Sequence, residues 1–341
     1  MKFAGRFYSK LIMSKFFIII FLIFLFNSVI CHGQKIVWAD QSYSSASSKN
    51  IITDGKGNSF IHGGWTGGTL NLGSLILYNL DSINDHSFVA CYDSTGKIKW
   101  VKIINAGILS TALDKNGNYY ISGSWNSNSV DIDGTVLYGN GGCYIAKINP
   151  TGKTLFVYSV PVQEFSKGRE DGQIGINLTI DTQNYLTLSG GFFGDSMRFG
   201  MKSILGGGDN FHGFAARYDS NMQFLWAVKV FDDIGPVNGF NAPISADVRG
   251  NFFLSPLFAG TNVSIGNDTF YTSKGNYVIV AKFNGSGKLL WAKQMGVGGV
   301  NNKVYSATDL GGNVYTSGTY LDGAKFDTIL FSQTRITMFL L

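Results

Sequence analysis

One pattern of residues recurs five times along this chain and constrains its fold more than any other feature. An aspartate, a short turn ending in Gly-Asn (Asn-Tyr in the third copy) and a strand appear as DGKGNSFIHGG from Asp54, DKNGNYYISGS from Asp114, DTQNYLTLSGG from Asp181, DVRGNFFLSPL from Asp247 and DLGGNVYTSGT from Asp309. The spacing is about 64 residues, and a fixed period of that size means stacked supersecondary units that bury their faces against one another. A second motif follows roughly 30 to 40 residues after each of the first four aspartates. It reads FVACYDSTGKIKWVK from Phe88, YIAKINPTGKTLFVY from Tyr144, FAARYDSNMQFLWAV from Phe214 and VIVAKFNGSGKLLWAK from Val278. Each copy is a strand, a polar turn and a second strand, closing on Trp100, Phe156, Trp226 and Trp291 in turn. Between the two motifs lies a looser strand of alternating apolar residues, near Leu70, Val130, Met197, Val263 and Ala324. Alternation of period two marks a strand with one buried face.

About four strands per repeat, with no helical periodicity between them, is the pattern of a propeller blade. The expected fold is all-β: a β-propeller of four complete four-stranded blade repeats and a partial fifth. In the D-x-x-G-N turn the aspartate bonds its own backbone, and Gly or Asn accepts the positive φ of a tight connection. The terminal Trp offers a flat face to wedge between adjacent sheets, and its N–H needs one partner.

Composition agrees with many short strands joined by turns. The 341 residues include 44 Gly, 27 Phe and 16 Tyr, but only 14% are charged. Glutamate, a residue favoured on exposed helices, occurs only at Glu164 and Glu170. A hydrophobic fraction of 45% excludes a disordered chain, and no heptad persists.

The first 33 residues read as a signal peptide. Lys2, Arg6, Lys10 and Lys15 precede an apolar run of 11 residues from Phe16 to Phe26, too short to span a bilayer comfortably. Cys31 and Gly33 fall at the −3 and −1 positions of a cut before Gln34. Ile30 stands where a lipobox needs a small residue, so secretion is expected rather than acylation of Cys31. The propeller repeat domain is then residues 34–341, with no membrane span after cleavage. The formal net charge is +5, but four of the 27 basic residues lie in the leader, leaving about +1 against 22 acidic ones. A nucleic-acid partner is therefore not expected. Cys91 and Cys143 remain, in different repeats, and read as small buried hydrophobes rather than a disulfide.

Both ends carry pieces of the pattern. KIVWAD from Lys35 to Asp40 looks like KLLWAK at Lys288 to Lys293 without preceding strands, an orphan strand of the kind that closes a last blade. At the other end the fifth repeat stops at Met338 to Leu341, inside what reads as a strand, and the domain is expected to be C-terminally incomplete.

With its two motifs in place, the repeat resembles the SBBP family of β-propeller repeats of secreted Bacteroidota proteins, in which D-x-x-G-N-x-Y strands alternate with F-x-A-K-Y-D-x-x-G-x-x-x-W strands. The resemblance runs from about Trp38 to Leu341 and implies an exported or cell-surface protein. Many members end in a C-terminal sorting domain for type IX secretion, and no such domain is expected within the residues up to Leu341. A more distant look-alike is the tryptophan motif of pyrroloquinoline quinone repeats, matched by DSTGKIKW at Asp93 to Trp100 and GSGKLLW at Gly285 to Trp291. That likeness is confined to the docking Trp, because vicinal cysteines and a haem C-x-x-C-H are missing.

Candidate chemistry is sparse. The Asp93, Gly96, Trp100 spacing differs from a sialidase Asp box, and no acidic pair stands apart from the repeated turns and strands. His86 and His212 occupy equivalent places two residues before the Phe of the second motif and could face a common channel, while His62 lies in the first motif. Two histidines fall short of a zinc site. Asp131 with Asp133, and Asp114 with Asn116, read as turn and strand residues rather than a calcium loop. Glu164, Lys167, Arg169, Glu170 and Asp171 extend one connection as a solvated loop. Asp81-Ser82-Ile83, Asp195-Ser196-Met197 and Asp327-Thr328-Ile329 match a short O-glycosylation acceptor of this bacterial group. The sequence thus nominates no catalytic residue, no cofactor and no metal ligand. Its expected function is non-catalytic binding or scaffolding of a carbohydrate or protein ligand at propeller loops, the alternative being an extracellular polysaccharide-active enzyme with its site in those loops.

Overall fold

The computed structural model describes residues 46–66, 68–78, 85–125, 127–139, 141–160, 176–193, 196–199, 202–206, 211–233, 242–258, 262–271, 276–297, 300–320, 324–326, 329–331 and 337–340. The signal segment, the orphan strand at Lys35 to Asp40 and the charged cluster around Glu164 lie outside these. The described residues form thirty strands and no helix.

The first repeat comprises β1 (Ala46–Thr53), β2 (Ser59–Thr66), β3 (Thr69–Leu72), β4 (Leu75–Tyr78), β5 (Asp85–Tyr92) and β6 (Ile98–Ile104). The second comprises β7 (Gly107–Leu113), β8 (Tyr119–Trp125), β9 (Ser129–Ile132), β10 (Thr135–Tyr138), β11 (Gly142–Ile148) and β12 (Thr154–Val160). The third comprises β13 (Asn177–Ile180), β14 (Leu186–Phe193), β15 (Ser196–Phe199), β16 (Lys202–Leu205), β17 (Phe211–Tyr218) and β18 (Phe224–Asp233). In the fourth are β19 (Ile244–Ala246), β20 (Phe252–Leu254), β21 (Leu257–Phe258), β22 (Asn262–Ile265), β23 (Asp268–Tyr271), β24 (Tyr277–Phe283) and β25 (Leu289–Val297). The fifth contributes β26 (Val300–Thr308), β27 (Val314–Tyr320), β28 (Ala324–Phe326), β29 (Ile329–Phe331) and β30 (Thr337–Leu340).

Four antiparallel strands make each blade, in the order β1-β2-β5-β6 for the first and equivalently for the next three. The fifth sheet holds three strands, β26-β27-β30. The chain is a β-propeller, and its inner strands are the first of each repeat, since β1, β7, β13, β19 and β26 lie against one another in succession. Polar side chains join several of them: Asn50 Nδ2 donates to Thr111 Oγ1 at 3.2 Å, Ser110 Oγ to the Leu178 carbonyl at 3.3 Å, and Thr308 Oγ1 to Ser245 Oγ at 2.6 Å.

The first three repeats hold six strands each, two more than the four read from sequence, and the fourth holds seven. The loose alternating segment between the motifs is the first arm of a two-stranded hairpin, β3-β4, β9-β10, β15-β16, β22-β23 and β28-β29. The second arm, such as LILY at Leu75 to Tyr78, alternates poorly, which is why the periodicity missed it, although the two-residue turn before it is marked in sequence by Gly73-Ser74 and by Asp133-Gly134, the latter with positive φ at both residues. In repeats four and five the hairpin pairs with the last strand of the preceding blade, β22 on β18 through Asp232↔Ser264 and β28 on β25 through Val297↔Lys325.

The cores sit between blades. One cluster joins Phe60, Val89 and Ile104 of the first repeat to Tyr119, Ile121, Tyr144 and Ala146 of the second. A second joins Tyr120 and Ile145 to Leu188, Phe214 and Tyr218. The third joins Phe211, Ala215 and Phe231 to Phe252, Tyr277 and Ile279. Neighbours along β11 alternate between clusters, Tyr144 and Ala146 facing back and Ile145 facing forward. A strand covered on both faces needs apolar residues at every position, and this is the cause of the unbroken runs YIA and FAA in the second motif.

Candidate functional site

The repeated aspartates act first on their own turns. Asp114 Oδ1 accepts from the Asn116 and Asn118 backbone N–H groups, both at 2.9 Å, and Oδ2 accepts from Asn118 Nδ2 at 2.7 Å. Asp247 and Asp309 repeat the arrangement with Asn251 and Asn313. The polar turns of the second motif are built alike: Asp93 Oδ1 accepts from Thr95 N and Lys97 N, and Asn149 Oδ1 from Thr151 N and Lys153 N. Hydrogen bonds from Thr95 and Lys97 hold the Asp93 carboxyl below the usual carboxylate range.

A second role for these aspartates is not visible in the motif. Asp114, Asp181 and Asp247 face a cation from the third strand of their own blade: Lys147 at 3.5 Å, Arg217 in direct contact, and Lys282 at 3.3 Å. Each cation also lies over an aromatic ring, Lys147 over Tyr120 at 4.9 Å, Arg217 over Tyr185 at 4.8 Å and Lys282 over Phe253 at 4.7 Å. The three carboxylates are almost wholly buried, so the pairing offsets a desolvation that would otherwise be prohibitive. At Asp247 burial pushes the carboxyl pKa up, but the bonds from Asn251, Arg249 N–H and Lys282 outweigh it and the net shift is downward. In the first repeat the cation's place is taken by Cys91.

Cys91 and Cys143 are buried and not bridged. Burial raises the Cys91 thiol to about 11, with Lys99 opposing and Asp54 and Asp93 adding, and raises Cys143 to about 12. Both stay protonated and unreactive at neutral pH.

The histidines do not converge. His86 and His212 stand on third strands, away from the inner ring, and each bonds within its own repeat: His86 Nδ1 to Asn105 Oδ1 at 3.1 Å and His212 Nδ1 to Asp232 Oδ1 at 2.5 Å. Each ring also lies beside an aromatic of the neighbouring strand, Trp65 for His86 and Phe192 for His212. His62 is buried, with Nδ1 3.4 Å from the Tyr119 hydroxyl. Desolvation, helped by Lys49, pushes its pKa down to about 4. Among the described residues no group of three or more His, Cys, Asp or Glu side chains could hold a metal ion. Asp131 accepts from Gly134 N at 2.7 Å and Asp133 pairs with Lys102 at 2.6 Å, so both serve the second hairpin and its contact with β6. Of the glycosylation triplets, Asp81 to Ile83, Asp195 and Asp327 to Thr328 lie outside the described residues.

What the repeats present outward is the hairpin. Its first arm buries alternate residues, Leu70 and Leu72, Val130 and Ile132, Met197 and Phe199, Val263 and Ile265. Its second arm ends in an exposed residue: Tyr78 at 64%, Tyr138 at 80%, Leu205 at 72% and Tyr271 at 67%. Directly across the hairpin stand Thr69, Ser129, Ser196 and Asn262. Among the four hairpins whose side chains are described at this position, three therefore carry an exposed tyrosine beside a neutral hydroxyl or amide residue. The signal in the sequence was the recurrence of Tyr six residues after each hairpin's last buried first-strand residue, obscured by the Leu of the third repeat.

No protein-family model matches the chain, that of the propeller repeat named above included, and no curated protein matches it. Among solved structures it is similar to a protein of unknown function from Dyadobacter fermentans (TM-score 0.47, 11% identity, 89% of this chain and 83% of that one). Others are a protein of unknown function from Bacteroides caccae (TM-score 0.39, 11% identity, 73% and 68%) and the polysaccharide lyase Uly1 (TM-score 0.37, 10% identity, 92% and 76%).

Proposed function

We propose that this protein is an exported β-propeller of the SBBP type that acts at the cell surface as a non-catalytic binding or scaffold module. One observation carries the reading: the side chains of both repeated motifs are spent on the blades themselves. Asp114, Asp181 and Asp247 bond their own turns and a cation of the same blade. His86 bonds Asn105, just past the end of β6, and His212 bonds Asp232 of β18. A catalytic constellation needs groups free to meet a substrate at one point, and the repeated polar groups are instead distributed one set per blade. Export rests on the basic and apolar leader with its cut before Gln34.

The test is to express the full chain in a bacterial host, recover the exported product and read its N-terminus, then assay it against a polysaccharide panel for retention and for released reducing ends. An N-terminus at Gln34 with retention and no release is the expected result. Sustained release of sugar by the purified protein would sink the non-catalytic reading, and a product that keeps its leader in the cytoplasm would sink export.

A further inference from the structure

Taking the binding-module reading as its starting point, we infer that the hairpins are the ligand-binding elements and that the ligand is an uncharged polysaccharide, held by Tyr78, Tyr138 and Tyr271. A single exposed aromatic needs no explanation. Here the exposure is repeated at one structural position, while the aromatics that fill the blade cores, such as Tyr119, Tyr144, Phe214 and Phe252, are fully buried; Tyr305, Tyr315 and Trp291 are exposed at places where the exposure does not recur. The blade does not require the tyrosine, because the third repeat builds the same hairpin with Leu205.

The chemistry around the three rings selects the occupant. Across the first hairpin the solvent-facing pairs are Thr69↔Tyr78 and Asn71↔Ile76, and across the fourth Asn262↔Tyr271 and Ser264↔Thr269. These two faces carry no charged side chain. In the second hairpin the pairs are Ser129↔Tyr138 and Asp131↔Val136, and the exposed Asp131, which accepts from the Gly134 N–H, gives that face one negative charge. Faces that are neutral or carry a single negative charge suit a neutral ligand and give no Coulombic attraction for uronate polymers, acidic peptides or nucleic acid. Tyrosine supplies a rigid flat surface with a polar tip at small entropic cost, and Ser, Thr and Asn supply adaptable hydrogen bonds. The apolar C–H face of a pyranose ring with its rim of hydroxyls matches that combination. One such pair per repeat also suits a ligand that itself repeats, since linked weak contacts gain strongly by avidity.

The experiment is affinity electrophoresis of the exported protein through gels containing neutral polymers (β-glucan, starch, galactomannan, xylan) or acidic ones (alginate, polygalacturonate). Wild type, Tyr78→Ala, Tyr138→Ala, Tyr271→Ala, the triple variant, the triple Tyr→Phe variant and Leu205→Tyr are compared, with melting curves to confirm folding. Retardation by at least one neutral polymer is expected, with each single alanine weakening it roughly tenfold or less and the triple alanine abolishing it. Phe replacements keep it, and Leu205→Tyr strengthens it. Retardation of the folded triple alanine variant equal to wild type overturns the tyrosine site while the binding-module reading stands. Retardation by acidic polymers alone, or by no polymer without sugar release, overturns the neutral-polysaccharide assignment and again leaves that reading standing. Release of reducing ends overturns the reading itself.

Discussion

The indole Nε1 of Trp100 donates to the carbonyl oxygen of Pro150 at 3.1 Å, across the boundary between the first and second repeats. Trp226 makes the same bond to the Gly285 carbonyl, 3.1 Å away in the fourth repeat. Each tryptophan lies on a glycine of the next repeat's turn, Gly152 or Gly287, where an added Cβ would meet the indole at 2.7 or 3.0 Å. The turn of the third repeat has Met222 at the glycine position, with φ 62°, and the aromatic of the second repeat is the smaller Phe156. Both pack against the same core cluster, so wedge and socket vary together in size.

Gly152→Ala therefore meets two penalties, the left-handed φ of 87° and the collision with Trp100. A loss of about 2–4 kcal/mol is expected in urea unfolding. In a Trp100→Ala background the collision is gone, and the same change should cost only about 1–2 kcal/mol, the left-handed backbone part. Equal costs in the two backgrounds would refute the socket.

Arg217 is the partner of the buried Asp181 carboxylate and also bonds Thr187 Oγ1 and the Gly250 carbonyl at 3.2 Å each. Arg217→Met keeps the bulk and strands the charge, for an expected loss of about 3–5 kcal/mol. Asp181→Asn with Arg217→Met should recover part of it, because no ion is left buried. Unfolding midpoints of wild type and the two variants decide the matter.

Ser122 Oγ and Ser189 Oγ donate to the carbonyls of Ile176 and Ala242, at 2.7 and 2.9 Å, latching each blade to the start of the next. Ser189→Ala leaves that buried carbonyl unsatisfied and should cost about 1–3 kcal/mol. A variant as stable as wild type would show the latch to be idle.

His62 occupies in the first repeat the place those serines hold in the second and third. Its pKa of about 4 in the folded chain lies below the ordinary 6.5, so the unfolded chain binds the extra proton between those values. The stability this burial permits is complete above pH 6.5 and is lost as pH falls toward 4, by about 2 kcal/mol at pH 5. His62→Ser removes the titrating group, so its unfolding free energy should fall about 2 kcal/mol less than wild type's between pH 7 and pH 5. Parallel pH profiles for the two proteins would contradict the assignment.

The repeated turns, the strands they join and the stacking of like units were legible in the sequence because they are local. An Asx turn is decided by Asp114, Gly117 and Asn118 within five residues, and a strand buried on both faces announces itself as an apolar run such as YIA at Tyr144 to Ala146. Relationships between strands far apart in sequence were not legible. That Trp100 reaches Pro150, that Lys147 lies on both Asp114 and Tyr120, and that His86 and His212 stay apart depend on which strands neighbour in space. The hairpin's second arm follows a local turn such as Asp133-Gly134, but the exposed faces of Tyr78, Tyr138 and Tyr271 emerged only with the tertiary fold. Local propensity fixes turns and strands, but exposure is a property of the packed whole, settled when one face of each hairpin finds a neighbour and the other does not.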